Sequence, residues 1–361
     1  MRAYRSSFSL ARRSFSNAAM ACFQCEQTAS PVQGCTTIGN CGKTPEVSRL
    51  QDALSNALIG ISQFTSRSAA LGVTDPAIDA FSIDSMFSTL TNVNFDDARF
   101  VQLLKQVFFP LSFFSFLLCS TWFIQADANI VKAKSLYEKA CEAKKIQPEK
   151  LSGPAAWRMK SSNVSELIEQ ARAQGDLIDR KQRLGEDVAG IQSMILFGLR
   201  GCMAYADHAR LLGRESEAVY GGLIKKRRIS FSVCLGLTVC LGIRDSLRFL
   251  GDNDVKNSAS VDRMVQELLK VGETTINTLA LLDDANTSAF GTPTPTVVAT
   301  APLKGKAILI SGHDLADLVE LLKQTEGTGI NVYTHGEMLP AHGYPLLKKF
   351  KHLAGNYGGA W

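Results

Sequence analysis

The chain lacks a charge excess. Its 39 Lys and Arg against 34 Asp and Glu leave +5, and the first 21 residues hold +4 of that, so the rest is near neutral at +1. A near-neutral body has no basic stripe of the kind a nucleic-acid partner needs, and none is expected. Residues 1–21 (MRAYRSSFSLARRSFSNAAMA) contain no acid and no apolar core. The missing core excludes a secretory signal. Four arginines and five serines instead give the composition of an organelle transit peptide, with a disordered basic tail as the other reading. The leader predicts a mitochondrion or related organelle, a plastid being the alternative. Translation from Met20 would leave the protein in the cytoplasm.

Cysteine is absent after Cys240, and only one C-x2-C pair exists. A zinc ribbon, which uses two such pairs, is therefore a poor match. What is present is a crowd near the start: Cys22, Cys25, Cys35 and Cys41 in CFQCEQTASPVQGCTTIGNC, spaced C-x2-C-x9-C-x5-C. Four thiolates that converge suit a soft metal centre, and closing so short a loop costs little. An iron–sulfur cluster is the preferred reading, ahead of structural zinc and of disulfides. Gly34, Gly39 and Gly42 let the loop turn sharply and bring N–H groups toward sulfur. The remaining cysteines, Cys119, Cys141, Cys202, Cys234 and Cys240, read as buried hydrophobes.

From Thr44 the pattern turns helical. Thr44 suits an N-cap, Pro45 the first helical position and Glu46 the positive end of the dipole. Leu50, Leu54, Leu58 and Ile61 then recur at helical spacing. Residues 130–145, 188–212 and 261–284 repeat the style, so 22–285 is expected to be one mainly helical, metal-binding domain. Residues 286–305, with three prolines, predict a linker. The period then changes. KAILI (306–310) and INVYT (330–334) read as strands flanking a helix, a parallel unit that begins an α/β domain over 306–361. Groups past the carboxyl ends of such strands collect in one pocket. His313 follows the first strand; His335 and Glu337 follow the second.

Two apolar stretches fit poorly. Residues 107–124 carry no charge over eighteen positions, at the lower limit of a membrane span, and contain Pro110. Residues 229–243 are too short to span comfortably. Their flanks are amphipathic helices of a soluble domain, so a membrane partner is not expected. Both stretches have the look of translated introns.

The cysteine run, continued as GCTTIGNCGKTPEVSRLQDAL, resembles the N-terminus of the hybrid-cluster (prismane, hydroxylamine reductase) family. FSTLTNVNFD, GLRGCMAYADHA, ILISGHDLADL, QTEGTGINVYTHGEMLPAHGYP and HLAGNYGGAW extend the resemblance from about residue 20 to the end, with interruptions at the two apolar stretches. It implies a helical N-terminal domain followed by Rossmann-like α/β domains, here only begun. It implies a [4Fe–4S] cluster, [2Fe–2S] in some members, on Cys22, Cys25, Cys35 and Cys41. It also implies a hybrid [4Fe–2O–2S] cluster of mixed Cys, His and Glu ligands. His313 of the GHD motif and Glu337 of TH-x-E match two of these; His335 and His342 would orient them. The other ligands of the family follow GNYGGAW, so this chain alone is expected to be inactive. The implied activity is two-electron reduction of hydroxylamine, or of nitric oxide, fed by an unidentified redox donor protein. A single-cluster electron-transfer or iron-binding module is the alternative.

Overall fold

The computed structural model describes residues 19–30, 33–91, 93–108, 129–161, 163–174, 177–219, 226–252 and 261–359. The expected leader up to residue 18 and most of 107–124, Cys119 included, lie outside these; of 229–243, side chains are described only from Val239. The chain is mainly helical with a small parallel sheet. It divides into two units, one of residues 1–204 and 238–275, the other of 205–237 and 276–361.

The first unit is built round α1 (Pro45–Ala70). Its start is as the sequence predicts: the Thr44 hydroxyl accepts from Val47 N at 3.3 Å, Pro45 opens the helix and Glu46 lies in the first turn. Leu50, Leu54, Leu58 and Ile61 are fully buried. Each such side chain taken from water contributes about 1.5–3 kcal/mol, so the stripe accounts for the central place of this helix. Helices α2 (Pro76–Phe87), α3 (Asp97–Phe108), α4 (Asn129–Ala143) and α5 (Val164–Gln174) pack on α1. A short turn at Gly153–Ala156 also packs on it, so closely that a side chain at Gly60 would strike the Pro154 carbonyl. After α6 (Leu177–Leu184) comes α7 (Glu186–Val219). Its stretch Glu186–Gly213 is long and apolar enough to cross a membrane, yet half of its most apolar window is buried inside the protein, as in a core helix. Cys141 and Cys202 are buried, as expected, and Cys240 is partly so on α8 (Lys226–Asp252).

Helix α9 (Val261–Phe290) continues past residue 285, so the extended segment begins at Gly291. That segment is tied along the second unit. The Ala299 carbonyl accepts from Asn356 N at 2.9 Å, and Leu303 N donates to the Tyr333 hydroxyl at 2.7 Å. Strands β1 (Ala307–Ser311), β2 (Asn331–His335) and β3 (Leu353–Tyr357) form a parallel sheet in that order. Helix α10 (Leu315–Thr325) links β1 to β2, and its N-cap Asp314 accepts from Ala316 N at 2.8 Å. Leu318, Leu322 and Val332 are fully buried in this unit's core, beside Phe290 and Leu347.

Candidate metal-binding sites

In the first unit, the cysteine segment is closed by a short antiparallel bridge between Cys22 and Cys35. Cys22 N donates to Cys35 O at 3.2 Å, and Cys35 N returns a bond to Cys22 O at 3.0 Å. Gly34 makes the closure feasible: its φ is +74°, and a Cβ there would lie 2.7 Å from the Cys22 carbonyl. Met20 is fully buried and donates its N–H to Thr36 O, so the packed chain already includes this residue.

The thiols differ in setting. Cys35 is buried, Cys22 partly buried, and Cys25 and Cys41 exposed. Burial opposes ionisation of Cys35, but N–H groups of Ala29 and Asn40, the Thr28 hydroxyl and the Lys43 charge together hold its thiol below the ordinary range. Ala29 N lies 3.5 Å from Cys35 Sγ. Burial pushes the Cys22 thiol up, against the pull of Lys43. Lys43 Nζ stands 4.0 Å from Cys22 Sγ and donates to Gln51 Oε1 at 2.8 Å.

The family-like motifs meet here. Gln24, inside the C-x2-C pair, accepts from Thr91 N at 2.9 Å and donates to Gln51 Oε1 at 3.4 Å. Arg200 on α7 donates to Thr89 Oγ1 at 3.0 Å and to Ser55 Oγ at 2.9 Å. A small cleft of about 40 Å³ is lined by Cys22, Phe23, Asp52, Arg180, Phe197 and Arg200 among others. Sequence reasoning missed Lys43, Gln51 and Arg200. The available signal was the lysine two residues after the last cysteine of the loop.

In the second unit, Gly312 and Gly336 turn the chain just past β1 and β2, with φ of +137° and +54°. They bring His313 and Glu337 together: His313 Nε2 is hydrogen-bonded to Glu337 Oε2, both side chains about half exposed. His335 is the last residue of β2 rather than part of the following loop. Its Nδ1 lies 3.0 Å from Ser311 Oγ, its register partner on β1. The ring rests on Gly358, where a Cβ would come within 2.6 Å of it.

His342 sits below this pair in a buried chain of hydrogen bonds. Its Nε2 meets Thr334 Oγ1 at 2.8 Å, and Thr334 Oγ1 donates to Asn356 Oδ1 at 2.9 Å. Burial pushes the His342 imidazole below its ordinary value. His208, also buried, is lowered by desolvation against the pull of Asp314 and Asp207. Both rings are therefore neutral at pH 7.

Among the described residues no three His, Cys, Asp or Glu donors are gathered closely enough to hold a single metal ion. The two sites nevertheless differ in fit. The cysteine segment has four thiols, an N–H aimed at sulfur, and a buried Gln51 Nε2 without a partner. Such donors without acceptors fit a centre rich in anionic sulfur. His313 and Glu337 are only two donors and do not by themselves fit a multi-iron cluster.

Comparison with known proteins agrees with this picture. The family model "Prismane/CO dehydrogenase family" matches residues 20–226 and 248–361. The match runs through the first apolar stretch and breaks over the second. Hydroxylamine reductases of Rhodospirillum rubrum and Acidithiobacillus ferrooxidans are each 41% identical, over 342 and 345 residues. That of Syntrophobacter fumaroxidans is 42% identical over 342 residues. In each case 95% of this chain is covered but 54% of the relative, so the chain spans about half the length of the curated relatives it matches. A solved acetyl-CoA synthase/carbon monoxide dehydrogenase α subunit, described with NiZn[Fe4S4] and NiNi[Fe4S4] clusters, is 12% identical. It aligns over 95% of this chain and 41% of that one with a TM-score of 0.26, too low to carry an argument. With the family pattern matched over most of its length, the chain belongs to the Prismane/CO dehydrogenase family.

Proposed function

We propose that this chain carries the electron-accepting part of a hydroxylamine reductase, with Cys22, Cys25, Cys35 and Cys41 holding a [4Fe–4S] cluster. The observation behind this reading is the setting of the thiols. An N–H donates to Cys35 Sγ, which with Thr28 and Lys43 favours its thiolate, and an ammonium stands 4.0 Å from Cys22 Sγ, where it offsets part of the cost of burying that thiolate. The names of the relatives supply the reaction: hydroxylamine, two electrons and two protons give ammonia and water.

An iron–sulfur cluster, when bound, supplies one-electron transfer. The chain's own residues set the conditions. The backbone bridge between Cys22 and Cys35 fixes the positions of two of the residues that would hold the cluster, and exposed Cys25 and Cys41 would supply the other two thiolates. Gln24 and Gln51 brace the loop against α1 and Thr91. In the second unit the His313 and Glu337 side chains meet through Nε2 and Oε2, and Ser311 and Gly358 hold the His335 ring. We assign His313 and Glu337 as two ligands of the second, catalytic iron centre.

A second reading has its own support: these two side chains gather no third donor among the described residues. The chain would then act as an electron-transfer module. Anaerobic assay with reduced viologen and hydroxylamine separates the two. One ammonia per two viologens oxidised, lost in Glu337→Gln, supports the reductase. Oxidation that stops at about one equivalent per chain, without ammonia, supports the module. No viologen oxidation at all contradicts both.

A further inference from the structure

The floor beneath the cysteine segment holds more positive charge than its described neighbours balance. Lys43 is 1% exposed, although an ammonium is among the groups least often buried. Its described partners are one amide oxygen, Gln51 Oε1, and the Cys22 sulfur. Arg200 is 2% exposed and donates to two hydroxyls, with no carboxylate in hydrogen-bond reach among the described residues. Burial lowers its pKa to about 10, which leaves it a cation at neutral pH. The opposing charges felt by these two groups come from one carboxylate, Asp52, and from Cys22 and Cys41. Gln51, 1% exposed, adds an amide N–H2 with no partner.

Buried cations persist where an anion compensates them. A cluster held by four thiolates is net negative in both oxidation states, and more so when reduced. We infer that Lys43 and Arg200 are fixed counter-charges for the iron–sulfur cluster on the cysteine segment, and that they raise its reduction potential. This rests on the reading of that segment as the cluster site. Both cations belong to the same unit as the thiols and favour the reduced form, because the added electron is drawn to them through a poorly screened interior. Gln51 holds Lys43 Nζ at 2.8 Å, so the charge is fixed rather than free to swing into solvent.

The test is iron analysis and an EPR-monitored redox titration of the anaerobically purified chain. Four forms are compared: wild type, Lys43→Met, Lys43→Arg and Gln51→Glu. In Lys43→Met the reduced-to-oxidised ratio at fixed potential should fall about tenfold, a downward shift of about 59 mV for one electron. Gln51→Glu, nearly isosteric but anionic, should shift the potential the same way. Lys43→Arg should stay near wild type. A Lys43→Met protein with full iron and an unchanged potential overturns the inference. If Lys43→Met loses iron, Lys43→Arg decides: retention supports a charge requirement, and loss overturns it. A wild-type chain without iron overturns the site assignment itself, and this inference with it.

Discussion

Thr334 should be the side chain on which the strand ends of the second unit depend most. It is fully buried, and its hydroxyl joins His342 at 2.8 Å to Asn356 at 2.9 Å. Thr334→Val keeps the shape and removes the hydroxyl. Two buried hydrogen bonds are lost, and the His342 nitrogen and Asn356 oxygen stay buried without a partner. Each stranded group costs about 1–3 kcal/mol, so the change should destabilise this unit by about 2–6 kcal/mol. Native-state hydrogen exchange reads it locally: protection of the β2 and β3 amides should fall about 30- to 20,000-fold, at about 1.4 kcal/mol per decade. Replacing Asn356 by Leu as well should recover part of the loss, since one stranded acceptor is then gone. A loss in Thr334→Val below about 0.5 kcal/mol would refute the reasoning, because that is the size of an inconsequential surface change.

Other outcomes follow from the same kind of packing. Stability of the second unit should decline as pH falls below the ordinary imidazole value of 6.5, because the unfolded chain protonates His208 and His342 while the folded chain resists. Denaturant titrations from pH 8 to pH 5 check this, and a midpoint that rises toward pH 5 would contradict it. Gly34→Ala places a Cβ 2.7 Å from the Cys22 carbonyl at a positive φ, so iron bound per chain should fall well below wild type. Arg244→Leu strands Asp79, which Arg244 grips through bonds of 2.8 and 2.6 Å. Breaking that part-buried pair should cost about 3–5 kcal/mol in denaturant unfolding.

The sequence made the local features legible. Thr44, Pro45 and Glu46 act within one turn, so the start of α1 follows from propensity alone. The strand residues and the glycines after them placed His313 and Glu337 at adjacent ends of the sheet, where they meet. The cysteine spacing marked its loop, but not the bridge that pairs Cys22 with Cys35. What escaped was non-local. Arg200 reads as an ordinary helical arginine, and only the packing of α7 buries it against Ser55 and Thr89. Residues 291–305 read as a tether because prolines and threonines look alike whether free or tied. Hydrogen bonds from Asn356 and to Tyr333 decide the matter. Helix α9 outran its expected end because Ala289 and Phe290 find a core to enter.

The central claim is that the four cysteines hold an iron–sulfur cluster rather than zinc or disulfides. Anaerobic iron and acid-labile sulfide analysis of the chain, with EPR after reduction, tests it most directly. About four irons and four sulfides per chain, with a signal lost in Cys35→Ser, are expected. One zinc per chain with no sulfide, or four cysteines oxidised in pairs with no metal, would contradict it.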